Sequence, residues 1–590
     1  MVNILIRNKI FIQALIVFLL PVLLYLQSVK FGYTGFDDSR LIISNTTFLS
    51  DFKNVPQVFL TDAFMNKSTP FYRPLQTLTY MLDVQLAGGI NVAAFHFTNV
   101  LLIGFISCAL FLMFNKLLIP PYLSVLASLL YCMHPLFISS IVWIPARGDL
   151  LLTLSALLSF GLLIDYLNTK SPLNLLLHLL TFTLALFCKE TAALLPALFI
   201  AYYFIFFSHK SDTRYPVFML SYLVIGLCWY TLRSKAIFNL PSENAVFGIK
   251  AIISNIRSVP ESLTSFLLPF DIAAIPYFSI VKTIFGILII FLISAMFALR
   301  KVDDLKTSLF GLYWFIALLF PALLFKHHLI DYLNHRFLLP LIGILLFIFV
   351  NLPKKWFVTN DKKSMVAILA VIALFAFLTY KALPTYKNPM TFYNSALSMN
   401  PKSALTFNNR GILKIGTDNQ GAIDDFNKAI QIYPDYEEAH YNRGYAKLKL
   451  GDYSGAIADF DTSIAINKVF PTPYYYRGQA YFDLHNYSRA IADFSTYTSL
   501  SKEPIDVYNY IGKSLAFMGN FQEALRNFSR AIEVNPKQHL NYVNRSIARL
   551  YLKDYAGAIE DCNKALALKS DDKDALRLKE KALNALNEKL

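Results

Sequence analysis

Charge is scarce in this chain, and so are cysteine and any local cluster of metal-binding side chains. Charged residues make up 16% of the 590, against roughly 25% in an ordinary soluble domain, which excludes a conventional water-soluble enzyme. The five cysteines, Cys108, Cys132, Cys188, Cys228 and Cys562, stand far apart. That spacing excludes a disulfide scaffold, and no Cys-x-x-Cys pair is present to hold zinc. The little charge there is lies unevenly. Residues 1–389 carry 29 Lys and Arg against 16 Asp and Glu, whereas residues 390–590 carry 25 against 23. The basic excess belongs to a hydrophobic half, which suits a membrane surface and argues against nucleic acid as a partner.

What the chain has in quantity is apolar surface. Hydrophobic residues reach 55%, mean hydropathy is +0.45, and 51 Phe with 34 Tyr rule out a disordered chain. About 20 apolar residues cross about 30 Å of hydrocarbon. Eleven such runs are predicted, at 10–29, 92–114, 122–142, 150–167, 173–187, 191–207, 216–232, 283–299, 307–325, 337–351 and 365–383. The first has no small-residue cleavage site and is followed by ten more, so it is a span and not a signal peptide. With the N-terminus in the cytoplasm, the inner segments 1–9, 115–121, 168–172, 208–215, 300–306 and 352–364 hold 13 Lys and Arg in 49 residues. The outer segments 30–91, 143–149, 188–190, 233–282 and 326–336 hold 14 in 133. The denser inner charge favours that orientation. Loops 30–91 and 233–282 then face outward, and an odd span count puts the C-terminal half outside as well.

That half repeats. Ala-Ile-x-Asp-Phe or a close variant starts at Ala422, Ala456, Ala490, Ala524 and Ala558, each step being 34 residues. Twelve positions before the last four stand Gly444, Gly478, Gly512 and Ser546, and Gly411 stands eleven before the first. A 34-residue helix–turn–helix with small residues at the crossings is the tetratricopeptide pattern. Phe426, Phe460, Phe494 and Phe528 are expected in the seam, and Pro434 and Pro536 after the second helix of their repeats. The predicted fold is therefore all-α: a polytopic bundle over 1–389, an array over 390–570 made of a half-repeat (391–401) and five repeats, and a polar capping helix over 571–590. On the inner helices, Tyr441, Tyr475, Tyr508 and Asn509 would face a partner polypeptide in the concave groove.

The chemistry-bearing residues gather on the outward side. Asp37-Asp38 follow the first membrane exit. Two adjacent carboxylates raise one another's pKa when buried, which suits a general base, whereas in a solvated turn Asp38 would cap the helix that follows. Arg73 lies in Phe71-Tyr72-Arg73-Pro74-Leu75, and His96 and Asn99 sit on the second span. His134-Pro135 is followed by Trp143-Ile144-Pro145-Ala146-Arg147-Gly148-Asp149, and Lys189-Glu190 and His335-Arg336 open later segments. Charged groups near membrane depth are costly and mark function. A rim of cations made by Arg73, Arg147, Lys189 and Arg336 is what a lipid-linked phosphate requires, although each taken alone is also an ordinary interfacial anchor.

These stretches, in their order and loop placement, resemble TMTC-type membrane proteins with tetratricopeptide repeats, of the protein O-mannosyltransferase branch of the GT-C glycosyltransferase superfamily. The resemblance extends over nearly the whole chain, and no single motif decides it. It implies a GT-C-like bundle with its site on the outer or luminal face. There a sugar, mannose-like, would pass from a polyprenyl- or dolichyl-phosphate carrier to an acceptor, a protein hydroxyl. It also implies Asp37 or Asp38 as the catalytic acid, and Arg336 with Lys189 and Arg147 as donor-phosphate ligands. Arg73 would join them, with His96, His134, Glu190 and His335 in support. Relatives carry an acidic residue four positions after His134-Pro135, where this chain has Ser139, so no metal and no further cofactor is expected. A bacterial inner membrane fits the composition better than an endoplasmic reticulum membrane. The alternative is a non-catalytic membrane scaffold that recruits partners through its repeats. A transporter, whose site would lie at the bilayer midplane, is disfavoured by the shortage of charge within the spans.

Overall fold

The computed structural model describes residues 2–65, 69–117, 119–207, 215–237, 245–299, 302, 304–327, 329–352, 362–501 and 507–588. Most of the inner segments 208–215 and 352–364, and parts of loops 30–91 and 233–282, lie outside the described residues. The chain divides into two compact units, Met1–Pro401 and Lys402–Leu590.

All eleven expected spans fall on helices of the first unit, and among the described residues seven are long and apolar enough to cross by themselves. These are Asn8–Lys30, Val92–Lys116, Ile144–Thr169, Val217–Ala236, Ile280–Ala298, Leu305–Leu323 and Met365–Tyr386. The expected span 122–142 is a pair, Pro121–Cys132 and Pro135–Val142, bent by 48°. Its cause is local. Pro135 lacks an N–H and forces His134 into an extended conformation, so one helix stops and another starts. The helices Pro172–Cys188, Glu190–Phe206 and Leu341–Val350 are shorter. Large apolar side chains such as Leu220, Leu227, Ile287 and Phe291 stand more than half exposed on the peripheral helices. Surface of that kind is satisfied by lipid and not by water.

Close packing inside the bundle uses glycine. A Cβ on Gly311 would lie 2.6 Å from the carbonyl oxygen of Gly343, and one on Gly343 would collide with that of Gly311. Leu305–Leu323 and Leu341–Val350 therefore approach backbone to backbone, as membrane helices do at small residues. One departure from all-α is a two-stranded antiparallel ribbon, Ala245–Phe247 with Phe325–His327. It pins the second outward loop to the segment that leads into Arg336.

The second unit holds five helix pairs from Ala404–Lys414 to Tyr555–Leu568, followed by Lys573–Asn587. Its repeat chemistry is visible residue by residue. Asp418, Asp452, Asn486, Asn520 and Asp554, 34 residues apart, each cap a second helix by accepting a backbone N–H. The crossing glycines touch the seam phenylalanines: Cβ atoms on Gly411, Gly478 and Gly512 would meet Phe426, Phe494 and Phe528 at 2.6 to 3.0 Å. Where Ser546 replaces that glycine, Cys562 replaces the phenylalanine, so volume is exchanged across the contact.

The buried ion pairs behave in the same way. Arg410–Asp425, Arg443–Asp459, Arg477–Asp493 and Arg545–Asp561 link the two helices of four repeats. The remaining repeat carries Ile511 and Asn527, losing both partners at once. A lone buried Asp there would be far more costly than no pair.

The helix Pro389–Met399, the expected half-repeat, groups with the first unit and not with the array. Phe36 packs on Phe392, and the Tyr393 hydroxyl donates to the carbonyl oxygen of Gly35 at 3.2 Å. This last helix of the first unit thus supports the loop that carries Asp37.

Candidate active site

A cavity of about 690 Å³ opens in the first unit, between the first outward loop, the Trp143–Asp149 turn and the 325–337 segment. Asp37, Arg40, Arg73, Gln76, Trp143, Asp149, Asp331, His335 and Arg336 are on its wall.

The two carboxylates of the first loop have opposite surroundings. Asp38 is fully buried, and one of its oxygens accepts from the Thr34 N–H (2.8 Å), the Thr34 hydroxyl (2.6 Å) and the Gly35 N–H (3.1 Å). Gly35 has φ +73°, a left-handed conformation that suits glycine, and Asp38 holds that turn closed. Asp37, not Asp38, occupies the N-cap position of Asp38–Leu41, and its side chain makes no capping bond. Its carboxyl faces the cavity. Burial, and then the charge of Asp38, push it up to about 6, against the pull of Arg40 and Arg73. The cap position expected of Asp38 is therefore taken by Asp37, which makes no capping bond and is the one of the two acids on the cavity wall.

The cations separate just as clearly. Arg147 is completely buried. It is paired with Asp83 at 2.6 Å, bonded to Asn99 and the Phe95 carbonyl, and stacked 4.4 Å over Tyr80. It locks the Ile144–Thr169 helix to its neighbours and does not line the cavity, so the donor-phosphate role expected for it is withdrawn. Lys189 also lies behind the wall, gripping both oxygens of Asp149 at 2.6 and 2.8 Å. Glu190 accepts from the Tyr72 N–H and stands 3.7 Å from Arg73, tying that arginine back.

Arg336 is different. It lines the cavity and has no carboxylate partner among the described residues; Phe325 is 6.0 Å beneath its guanidinium. His335, its ring tilted against Trp143 at 5.2 Å and 4.0 Å from Asp149, is held well below the usual histidine range by burial, then by Lys189, Arg336 and Arg73.

The other two histidines are structural. His96 Nε2 reaches the Gly32 carbonyl at 3.3 Å, and His134 bridges the helix break, accepting from the Leu136 N–H and meeting the Phe266 carbonyl at 2.8 Å. Neither lines the cavity. Of the ten residues singled out, the cavity brings together Asp37, Arg73, His335 and Arg336; Lys189 and Glu190 back the wall; and Asp38, His96, His134 and Arg147 hold the scaffold.

Arg40, Asp149 and Asp331 are cavity residues that the sequence reading did not single out. Arg40 had a readable signal: it stands three residues after Asp37 on one helical turn, a spacing that makes side chains neighbours. Asp331 is matched by Lys326 at 3.0 Å, as Asp149 is by Lys189. Among the described residues, the cavity charges without an ion-pair partner are Arg40, Arg336 and Asp37.

On the array, Asn509 is buried and bonded to Asn541 and Asn544. Tyr475 packs between Phe494, Tyr497 and Tyr510, and Tyr441 between Tyr445, Phe470 and Tyr476. These three are committed to helix packing. Tyr508 meets Arg530 at 5.8 Å.

The comparisons with known proteins agree with this architecture. Tetratricopeptide-repeat family models match residues 418–451, 444–484 and 511–573. The mouse protein O-mannosyl-transferase TMTC4 is 31% identical over 181 residues, covering 26% of this chain and 24% of the relative. Human TMTC2 is 31% identical over 155 residues, covering 25% of this chain and 18% of that protein. The chain is similar to the TMTC-type tetratricopeptide-repeat membrane proteins. It spans about a quarter or less of the length of those TMTC relatives. Among solved structures, YrrB, a TPR protein with an unusual peptide-binding site, is 21% identical, with TM-score 0.30, covering 32% of this chain and 97% of its own. A MamA structure is 20% identical, with TM-score 0.28, covering 29% and 93%.

Proposed function

We propose that this TMTC-like chain is a membrane glycosyltransferase that moves a sugar from a polyprenyl- or dolichyl-phosphate carrier to a protein hydroxyl at the 690 Å³ cavity. The observation that carries the reading is a raised carboxylate, Asp37, on one wall with two arginines, Arg40 and Arg336, that have no ion pair among the described residues. Asp37 takes the proton of the attacking hydroxyl. The arginines stabilise the charge that develops on the departing phosphate, so the leaving group needs little acid assistance. Single displacement inverts the anomeric centre. Arg73, held by Glu190, shapes the wall, and His335 lies against it. The relatives' printed name, protein O-mannosyl-transferase, supports mannose as the sugar and protein as the acceptor. The site and the repeat array lie on the outer or luminal side, by the Lys and Arg distribution, and the array presents acceptor polypeptide.

The test is transfer by the purified full chain in detergent, with a radiolabelled prenyl-phosphate mannose. Arg336→Ala should raise the donor KM strongly while leaving the melting temperature unchanged, since a cavity arginine without an ion pair contributes little to folding. Equal rates for mutant and wild type at every donor concentration would exclude Arg336 as the phosphate ligand.

A further inference from the structure

The charges on the cavity wall can be counted, and the count bears on how the reaction ends. Asp149 faces Lys189 and His335, Asp331 faces Lys326, and Arg73 faces Glu190, so each of these is met locally. Asp37 is faced by Asp38 and Arg40 on its own turn and by Arg73 across the cavity. Among the described residues, the wall charges without an ion pair are Arg40, Arg336 and Asp37, plus one together while Asp37 is ionised. Asp38, buried behind the wall and held by three hydrogen bonds from Thr34 and Gly35, is outside this sum, and Asp149, near Arg336, is already paired with Lys189. A carrier phosphodiester has one negative charge, so these three wall charges and the bound donor sum to zero.

In the transfer step the acceptor oxygen bonds to the anomeric carbon. The bond from that carbon to the phosphate oxygen breaks, and its electron pair stays on the phosphate. The hydroxyl proton passes to Asp37. The lipid phosphate is now a dianion and Asp37 is neutral, so two arginines face two negative charges and the same sum is zero again. If Asp37 then gives its proton to water, the same sum becomes one excess negative charge.

Resting on the proposed transferase reading, we infer that Asp37, Arg40 and Arg336 act as one charge-matched unit: the proton on Asp37 retains the dianionic lipid phosphate, and loss of that proton expels it. Arg40 is thereby a second phosphate-positioning residue alongside Arg336. A raised carboxyl, which exchanges its proton near neutrality, fits this cycle.

The experiment compares binding of two probes to the full chain in nanodiscs: a short-chain prenyl monophosphate, and the mannosyl phosphodiester of the same alcohol. Asp37→Asn imitates the protonated acid. It should raise the affinity for the monophosphate relative to the phosphodiester by on the order of ten- to a hundredfold, the effect of one unit charge a few ångströms away. Arg40→Gln should shift the same ratio the other way, weakening the dianion more than the monoanion. It lies at the exposed rim, so it keeps the idea testable should Asp37→Asn fold poorly. An unchanged ratio in either folded variant overturns the inference and leaves the transferase reading standing. Failure of the wild type to bind either probe removes that reading, and the inference with it.

Discussion

Asp37 and Asp38 are neighbours in sequence with opposite surroundings, and substitution separates them. Asp37→Asn should lower the transfer rate by roughly 10²- to 10⁴-fold, the worth of a general base, with an unchanged melting curve. Asp38→Asn replaces an oxygen that accepts three hydrogen bonds, and bonds to a charged group contribute about 1.5–3 kcal/mol. Its melting temperature should fall first, and activity with it. If the order is reversed, Asp38 is the base. The raised pKa also gives a sign. A base must be deprotonated to act, so transfer should increase as pH rises through about 6; a rate independent of pH across that value removes Asp37 from the role. Arg147 gives a third test. Its removal strands Asp83 in the bundle, and breaking a buried pair costs about 3–5 kcal/mol. Arg147→Ala should therefore destabilise the bundle, while the fraction that stays folded keeps its donor KM.

At the level of helices, sequence exchanges come in pairs because contacts do. In the last repeat Cys562 leaves room for Ser546 where other repeats put phenylalanine against glycine. Cys562→Phe alone should overpack that crossing and cost about 1–3 kcal/mol. Adding Ser546→Gly should restore the melting temperature of the array. Persistent destabilisation in the double mutant would show that the exchange is not local to this contact. The bend at Pro135 belongs to the same scale. It shortens a span into two pieces, and it places the Trp143–Asp149 turn on the cavity wall.

For the molecule as a whole, the proposed arrangement puts site and array on one side of the membrane. A reporter fused after residue 590 should be active outside the cytoplasm only. Activity in the cytoplasm would reverse the topology, and with it the idea that the array presents acceptors to the cavity. Two of the segments behind the orientation, 208–215 and 352–364, lie largely outside the described residues. Three of the eleven spans are shorter than a full crossing. The reporter therefore tests the step on which sidedness depends.

The sequence by itself determined the elements whose signals are local or periodic. Apolar runs marked every membrane helix, since hydrocarbon length sets a run length. The 34-residue recurrence marked the array, since each repeat solves the same packing problem. A Gly–Phe or Ser–Cys exchange is readable once the period is known. Tertiary structure alone decided what each charge does. Arg147 and Arg336 are both outward-loop arginines near aromatic residues, yet one is enclosed by Asp83, Asn99 and Tyr80 and the other opens on the cavity. The sequence could name Asp38 as the better placed cap but not fix which acid faces the cavity, because which carboxyl turns inward depends on the backbone of Thr34 and Gly35. Lys189 is neutralised by Asp149, forty positions away. A charge's role follows from its nearest opposite charge and its access to water, and in a folded bundle neither is set by distance along the chain.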